Sequence, residues 1–196
     1  MAPARRGRAG EEKRAQTVRE LLDLAAKGDP ADIAAAASDS MWLAAMEWIE
    51  AQLLAEAEKA FGANEASALQ AMQAAFFRHL KFYARHPGAP RIILGLLQQN
   101  AETAAKRAAA RYYKGCAARL AKVIRKGQKC GEFDPSIDAE ISAAFYLGTI
   151  HGLVVQTLVA GDVAAFAQGG PTAWRLLRYG LAPHAVSSKS RGSPAP

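Results

Sequence analysis

Residues 141–161, ISAAFYLGTIHGLVVQTLVAG, contain no Asp, Glu, Lys or Arg. A run of about 18 such residues is the usual threshold for a membrane-spanning helix. This segment, however, includes serine, threonine, histidine and glutamine side chains, and the chain has no second candidate span. We therefore expect no membrane contact and a helix buried in a core or in a subunit interface.

Small residues recur every four positions along this segment, at Ala144, Gly148 and Gly152. A helix face lined by small side chains lets another helix approach closely. A helix this apolar is unfavourable on the surface of a monomer. The pattern therefore predicts a homodimer in which this helix packs against a second copy of the chain.

The remainder of the 196 residues has the composition of helices. Alanine, leucine, glutamate, lysine and glutamine dominate, and no alternating run of Val, Ile and Thr suggests a strand. We expect Asn64, Asn100 and Asp134 to cap helices, and Gly169-Gly170-Pro171 to open the last one. Apolar spacing and these signals predict helices at about residues 11–26, 30–37, 39–61, 65–85, 90–98, 101–126, 135–160 and 172–181. Two of these helices have a clear apolar stripe that should face the core: Trp42, Met46, Ile49 and Leu53 on the third, and Leu69, Met72, Phe76, Leu80 and Tyr83 on the fourth.

Hydrophobic residues make up 51% of the chain and charged residues 22%, as in an ordinary soluble globular protein. The 25 Lys and Arg against 18 Asp and Glu give a formal charge of +7. Two cysteines, Cys116 and Cys130, cannot form the disulfide framework of a secreted domain, so we expect a cytoplasmic protein.

The charge is unevenly distributed along the chain. Residues 1–19 carry six bases and two acids, residues 28–58 carry seven acids and no base, and residues 101–130 carry nine bases and one acid. The basic helix in the middle of the chain is either a solvated helix or a surface for nucleic acid, anionic lipid or an acidic protein.

No recognised catalytic or metal-binding pattern is present. The four histidines, His79, His86, His151 and His184, form no His-Glu-x-x-His motif, and there is no Cys-x-x-Cys pair or Gly-Lys-Ser/Thr phosphate loop. We therefore expect no enzymatic activity, no cofactor and no metal site. An enzyme with a site outside these patterns is the distant alternative.

From about Phe76 onward, the order of motifs resembles the ligand-binding and dimerisation half of the tetracycline-repressor (TetR) family. The matching pieces are YARHP at 83–87, GEFDP at 131–135, AAFYLGTIHGL at 143–153 and LLRYGL at 176–181. Members of this family are all-helical, mostly homodimeric repressors that a small ligand releases from DNA. The resemblance implies a three-helix, helix-turn-helix-like module followed by an antiparallel helical bundle.

The resemblance also implies a division of the chain and a set of sites. We expect a flexible basic arm at 1–10, the helix-turn-helix-like module at 11–61, a ligand-binding and dimerisation bundle at 62–182 and a disordered tail at 183–196. The expected pocket for a small, mostly hydrophobic ligand contains Met72, Phe76, His79, Tyr83, Tyr112, Tyr146, Gln156 and Trp174. The expected four-helix dimer seam contains Ala144, Gly148, His151, Gly152, Val155, Leu176 and Tyr179.

The N-terminal half departs from the family pattern. The usual Gly-Val-Ser turn is absent, and Trp42-Leu43-Ala44-Ala45-Met46 replaces the usual recognition sequence, followed by acids rather than bases. Lys and Arg supply most of the affinity for DNA phosphates. The candidate DNA-binding residues are therefore Arg5, Arg6, Arg8, Lys13, Arg14, Ser38 and Ser40. The alternative is a module of the same fold that no longer reads DNA and acts through protein or ligand contacts.

Overall fold

A computed structural model of the protein describes residues 3–27, 37–62, 67–162 and 165–183. Helices account for 85% of these residues, and no strand occurs among them, which confirms the all-α prediction. In chain order the described helices are α1 (Pro3–Lys27), α2 (Asp39–Phe61), α3 (Ala68–Arg85), α4 (Gly88–Gln98), α5 (Ala104–Lys129), α6 (Ala139–Ala160) and α7 (Ala165–Leu181).

The core forms where the apolar stripes of these helices meet. Positions separated by three or four residues lie on one face of a helix, so each stripe points inward as a unit. Both stripes predicted for α2 and α3 are found in the core, although Leu69 at the start of the second is only partly buried. Their buried members are Trp42, Met46, Ile49 and Leu53 of α2, and Met72, Phe76, Leu80 and Tyr83 of α3.

α2 packs against α1 on one side and against α3 and α5 on the other. Its first residue, Asp39, also fixes the start of α5. The Asp39 carboxylate accepts hydrogen bonds from the backbone N–H groups of Ala104 at 3.1 Å and Ala105 at 3.2 Å. These bonds from amides at the positive end of a helix, that of Ala105 above all, lower the pKa of Asp39. α2 thus contacts both the N-terminal helix and the helices of the bundle. The division of the chain into two domains at residue 61 stays a prediction.

α1 begins earlier than predicted. The expected flexible arm at 1–10 is wrong for residues 3–10, which form the first turns of α1. Pro3 is tolerated at the start of a helix because its missing N–H would have no partner there, and the alanines and arginines that follow favour helix. The predicted helix at 30–37, apart from Ala37, and the predicted tail beyond Pro183 lie outside the described residues.

Three helices begin after other caps than those predicted. Asn64 lies outside the described residues, and α3 begins after Ser67, which forms a capping box with Gln70. Thr103 rather than Asn100 caps α5, accepting a hydrogen bond from the N–H of Lys106 at 3.1 Å. Asp138 rather than Asp134 caps α6. Asp134 instead closes a turn with Ser136, because a short polar side chain can bond its own backbone two residues on.

α7 begins at Ala165, so the prediction that Gly169-Gly170-Pro171 starts this helix is wrong. The two glycines are explained by packing. A Cβ atom on Gly169 would lie 2.7 Å from Leu153 Cδ2 on α6, and one on Gly170 would lie 2.9 Å from Leu80 Cδ1 on α3. The absence of side chains at these positions lets α7 approach two helices at once, and that contact outweighs the poor helix propensity of glycine.

α6 has one face in the protomer's core and one face exposed. Ala143, Leu147, Ile150 and Val154 are buried against the bundle, whereas Ile141 and Phe145 are exposed. Among the described helices, α6 alone is long and apolar enough to span a membrane by length and composition, and 33% of its most apolar window is buried inside the protomer. The expectation of a helix covered on nearly all sides therefore does not hold within a single protomer.

Candidate functional site

A small cavity of about 40 Å³ lies between α2, α3, α5 and α6. It is lined mainly by apolar side chains of α2 and by His79, Tyr112, Cys116 and Tyr146. Its volume is close to that of a single water molecule, about 30 Å³. In this conformation the cavity therefore has no room for a hydrophobic ligand without movement of its walls.

Two buried polar atoms beside this cavity have no hydrogen-bond partner within the described part of the chain. They are Nε2 of His79 and the hydroxyl of Tyr83, whose rings meet edge to face with centroids 4.5 Å apart. Burial lowers the pKa of His79 to about 3 and raises the pKa of Tyr83, so both side chains are neutral near pH 7. Unpaired polar atoms cost free energy in a core, which makes them ready partners for a bound polar group.

Cys116 is a structural rather than a reactive thiol. Burial raises its pKa, an effect that a hydrogen bond with the Tyr112 side chain partly offsets. A thiol is nucleophilic as the thiolate, which this environment disfavours. Cys130, by contrast, is exposed at the end of α5.

The structure brings together most of the predicted pocket residues. His79, Tyr112 and Tyr146 line the cavity, and Phe76 packs against Tyr146 and Trp174 with centroids 5.7 Å apart in both pairs. The Tyr146 hydroxyl donates to the Met72 carbonyl at 3.2 Å. Gln156 does not join this group, because it is exposed on α6.

The sequence-based prediction missed the contribution of α2 to the cavity. Leu53, Ala57 and Phe61 line it, together with Leu120 of α5. The spacing of four residues between Leu53, Ala57 and Phe61 continues the apolar stripe that begins at Trp42. That signal was present in the sequence, but the stripe alone does not indicate which part of the core remains unfilled.

A larger cleft of about 610 Å³ lies between α4 and α6. Its walls include Trp42, Ile92, Leu96, Val155 and Leu158, and none of the eight predicted pocket residues lines it. Its volume falls within the range of ordinary ligand pockets. Because Val155 and Leu158 are partly exposed on α6, the cleft borders the outer face of that helix.

A shallow groove at the N-terminal end is formed by α1 and the first turns of α2. Lys13, Arg14 and Ser40, three of the predicted DNA-binding residues, lie along it. Ser38 lies beside it, with its hydroxyl 2.9 Å from that of Ser40. The side chains of Arg5, Arg6 and Arg8 lie outside the described residues, although their backbone belongs to α1.

Acidic side chains of α2 reduce the positive charge of this groove. Arg14 forms a salt bridge with Glu47 across the groove. Further along α2, Glu56 pairs with Lys59 at 2.9 Å and Arg78 at 3.0 Å, which lowers the pKa of Glu56. The groove therefore contains few cations that are free to contact a phosphate.

The outer faces of α6 and α7 hold the exposed large hydrophobic side chains of the described residues. These are Ile141, Phe145, Val155, Leu158 and Val159 on α6, and Leu176 and Tyr179 on α7. Six of the seven predicted seam residues are exposed on these helices. His151 is only partly buried and stacks on Tyr113 at 5.5 Å.

The sequence-based prediction of the seam included Val155 but missed Ile141, Phe145 and Val159, which lie on the same surface. With Gly148 and Gly152 they follow steps of four, three, four, three and four residues, and all six are exposed. This spacing is typical of a helix that packs along another helix. A Cβ atom added at either glycine would meet no atom within 4 Å in the protomer, so packing inside the protomer does not explain these glycines.

Comparison with known proteins gives the family. Residues 84–179 match the model of the C-terminal domain of BetI-type transcriptional repressors, a TetR-type C-terminal domain. No curated protein matches the chain.

Solved structures share the fold. A TetR transcriptional regulator from Chloroflexus aurantiacus is 16% identical, with a TM-score of 0.67 over 88% of this chain and 95% of that one. The ketosteroid transcriptional regulator KstR2 of Mycobacterium tuberculosis is 17% identical, with a TM-score of 0.71 over 88% and 96%. FadR from Bacillus subtilis, solved in complex with stearoyl-CoA, is 17% identical, with a TM-score of 0.64 over 85% and 98%.

The matched domain, the motifs quoted from residue 83 onward and the seven described helices agree with one another. Members of this family are transcriptional regulators and not enzymes. The chain belongs to the TetR family of transcriptional regulators.

Proposed function

We propose that this regulator is a cytoplasmic homodimer joined through α6 and α7, that it contacts DNA through the basic end of α1, and that it responds to a small, mostly hydrophobic ligand in its core. The observation that carries the proposal is the concentration of exposed apolar side chains on two adjacent helices. Ile141 is 70% exposed and Phe145 is 69% exposed. Contiguous apolar surface of this kind is typical of an interface.

The glycines of α6 favour a close helix pair in this dimer. Gly148 and Gly152 lie between Phe145 and Val155 on the exposed face, where they would let the copy of α6 approach. Leu176 and Tyr179 of α7, which packs beside α6, extend the same surface. The four helices of two protomers would then bury the apolar face that one protomer leaves in water.

The proposed DNA contact depends on charge rather than on sequence readout. α1 carries Arg5, Arg6 and Arg8 near its N-terminus, whereas α2 has no Lys or Arg before Lys59. Contacts to phosphates fix a protein on DNA without reading its sequence. The chain therefore contacts the DNA backbone in this proposal, and the seam sets the spacing of the two α1 helices.

α2 offers a direct connection between ligand and DNA contact. Its first turns line the groove with α1, and its last turns line the core cavity, so one 23-residue helix touches both sites. A ligand in the cavity would have to push its walls apart, because only about 40 Å³ is open, and Leu53 and Phe61 of α2 belong to those walls. The polar atoms of His79 and Tyr83 would bind a hydroxyl or carbonyl group of that ligand. Movement of α2 would then reposition α1.

Two measurements on the full chain test the proposal. Size-exclusion chromatography with light scattering should give a dimer for the wild type and a monomer or aggregate for Phe145→Glu. The matched control is Gln73→Glu, at an exposed position of α3. Binding of a mixed-sequence DNA duplex weakens steeply with salt, and replacing Arg5, Arg6 and Arg8 by Ala reduces that salt dependence. A dimer that survives Phe145→Glu, or DNA affinity that the triple variant leaves unchanged, contradicts the corresponding part.

A second candidate is a dimer of the same fold that acts through protein or ligand contacts without DNA. The salt bridge between Arg14 and Glu47 favours it, because this pair neutralises a cation in the groove. Absence of DNA binding by the wild type at low salt supports this candidate over the first. Replacement of Glu47 by Gln then tests the cause, since it would free Arg14 for phosphate.

A further inference from the structure

α5 carries a row of cations along its solvent-exposed face, which we name the α5 ridge: Arg111, Lys114, Lys122, Lys126 and Lys129. All five side chains are exposed, and the opposite face of the helix is buried in the core. Successive members are separated by multiples of three or four residues, so they share one face. At 1.5 Å per residue the ridge is about 27 Å long.

No acid within α5 compensates the charge of the ridge, and the nearby Glu132, whose pKa Lys126 helps to lower, lies beyond the end of the helix. Residues 103–131 contain no Asp or Glu. Lys106 and Arg125, which flank the ridge, pair with Glu102 and Glu140. None of the five ridge cations forms a salt bridge within the part of the chain that the structure describes. Like charges three and four residues apart destabilise a helix slightly, and a bound anion would relieve this repulsion.

The surroundings of the ridge favour DNA over a lipid surface. Helices that lie in a membrane interface insert large apolar side chains beside their cations. On α5 the only exposed uncharged residues are Gly115 and Ala118, and the exposed large hydrophobic residues of the described chain lie on α6 and α7 instead.

The helix that carries the ridge begins near the N-terminal groove. Asp39, which binds the first amides of α5, adjoins Ser40 of the groove. If a DNA duplex contacts α1 and α2 in the groove, the cations of α5 lie along the direction in which α5 runs away from that contact.

We infer that the α5 ridge is a second DNA-contacting surface, which binds the phosphate backbone without reading the bases. A linear row of unpaired cations complements a row of phosphates and gains free energy by releasing counterions. The ridge is on the bundle and not on the N-terminal module, so it extends the DNA contact of the proposed function to a helix that supplies part of the ligand cavity. Binding of DNA by the ridge does not depend on whether Arg5, Arg6 and Arg8 bind DNA.

The test compares two pairs of exposed cations, each four residues apart on a helix. One variant replaces Lys122 and Lys126 of the ridge by Ala, and the matched control replaces Lys81 and Arg85 of α3 by Ala. Binding of a mixed-sequence DNA duplex to each full-length protein is measured over a range of salt concentrations. The ridge variant should lower the slope of log affinity against log salt by about one for each lysine that contacts phosphate. The control and the charge-conserving Lys122→Arg, Lys126→Arg variant should keep the wild-type slope.

Equal slopes for the ridge variant and the wild type overturn the inference, and so does an equal loss in the control pair. Binding of the wild type to phosphatidylserine vesicles but not to DNA assigns the ridge to a membrane and also overturns it. If the Arg5, Arg6 and Arg8 variant loses DNA affinity while the ridge variant does not, the proposed function stands and this inference fails. Circular dichroism verifies that each variant is folded.

Discussion

Acidification should destabilise the protein through His79. Burial lowers the pKa of this imidazole to about 3, whereas an unfolded chain titrates near 6.5. The unfolded state therefore takes up a proton first as the pH falls. The free energy of unfolding is highest above the unfolded pKa and decreases as the pH falls from 6.5 toward 3.

The size of the effect follows from the difference between the two pKa values. Each pH unit between them changes the free energy of unfolding by about 1.4 kcal/mol. At pH 5 the pH is 1.5 units below the unfolded value and well above the native one, so His79 alone should cost about 2 kcal/mol relative to pH 7. That is a large fraction of the ~5–15 kcal/mol that holds a typical domain folded.

Urea unfolding of the wild type and of His79→Phe at pH 7 and pH 5, at one fixed protein concentration, measures this contribution. Phenylalanine keeps a ring against Tyr83 but cannot titrate. Burial also lowers the pKa of His86 and His151, but these residues act in both proteins and cancel in the comparison. The wild type should lose about 2 kcal/mol more than the variant. Equal losses would show that His79 is not buried as a neutral group, and would remove the polar site proposed for the ligand.

Three further predictions concern the seam, the α1–α4 contact and the cap of α3. Gly148→Leu should dissociate or aggregate the dimer in light scattering, whereas Gly115→Leu on α5, also in open space, should leave it intact. Gly88→Ala should lower the free energy of unfolding in urea by about 1–3 kcal/mol because its Cβ would overlap a carbonyl oxygen of α1, whereas Gly95→Ala, with no neighbour, should not. Glu132 accepts bonds from two amides at the start of α3, which lower its pKa, so Glu132→Gln should reduce the melting temperature at pH 7. This difference should shrink as the pH falls below 4.5, and a constant difference would contradict the role of the carboxylate.

The helices and their inward faces were predictable because apolar periodicity is a local property of the sequence. The stripe from Trp42 to Leu53 was assigned to the core from its spacing alone, and each member is buried. Helix ends were less predictable, since several residues near each end can act as caps. Thr103 replaces Asn100 because the fold places Asp39 against the amides of Ala104 and Ala105, and nothing in the local sequence indicates that contact.

The candidate sites divide in the same way. The family resemblance grouped Phe76, Tyr112 and Tyr146 in one pocket, and the structure shows that Tyr112 and Tyr146 line a cavity completed by the end of α2, with Phe76 packed against Tyr146. The nine bases of the α5 region are evident from the sequence. Which of them form salt bridges is not, because the pairs Lys106–Glu102 and Arg125–Glu140 depend on where the two acids lie in space.

From the sequence alone we could predict that this protein is all-helical, that residues 141–160 are too apolar for a monomer's surface, and that its motifs resemble those of a TetR-type bundle. The three-dimensional packing was needed to show that the Gly-Gly-Pro stretch lies inside α7, that one face of α6 is exposed, and that α2 touches both the N-terminal groove and the core cavity. Periodicity and capping act between neighbours in the chain, whereas the faces that remain uncovered depend on how all seven described helices pack together.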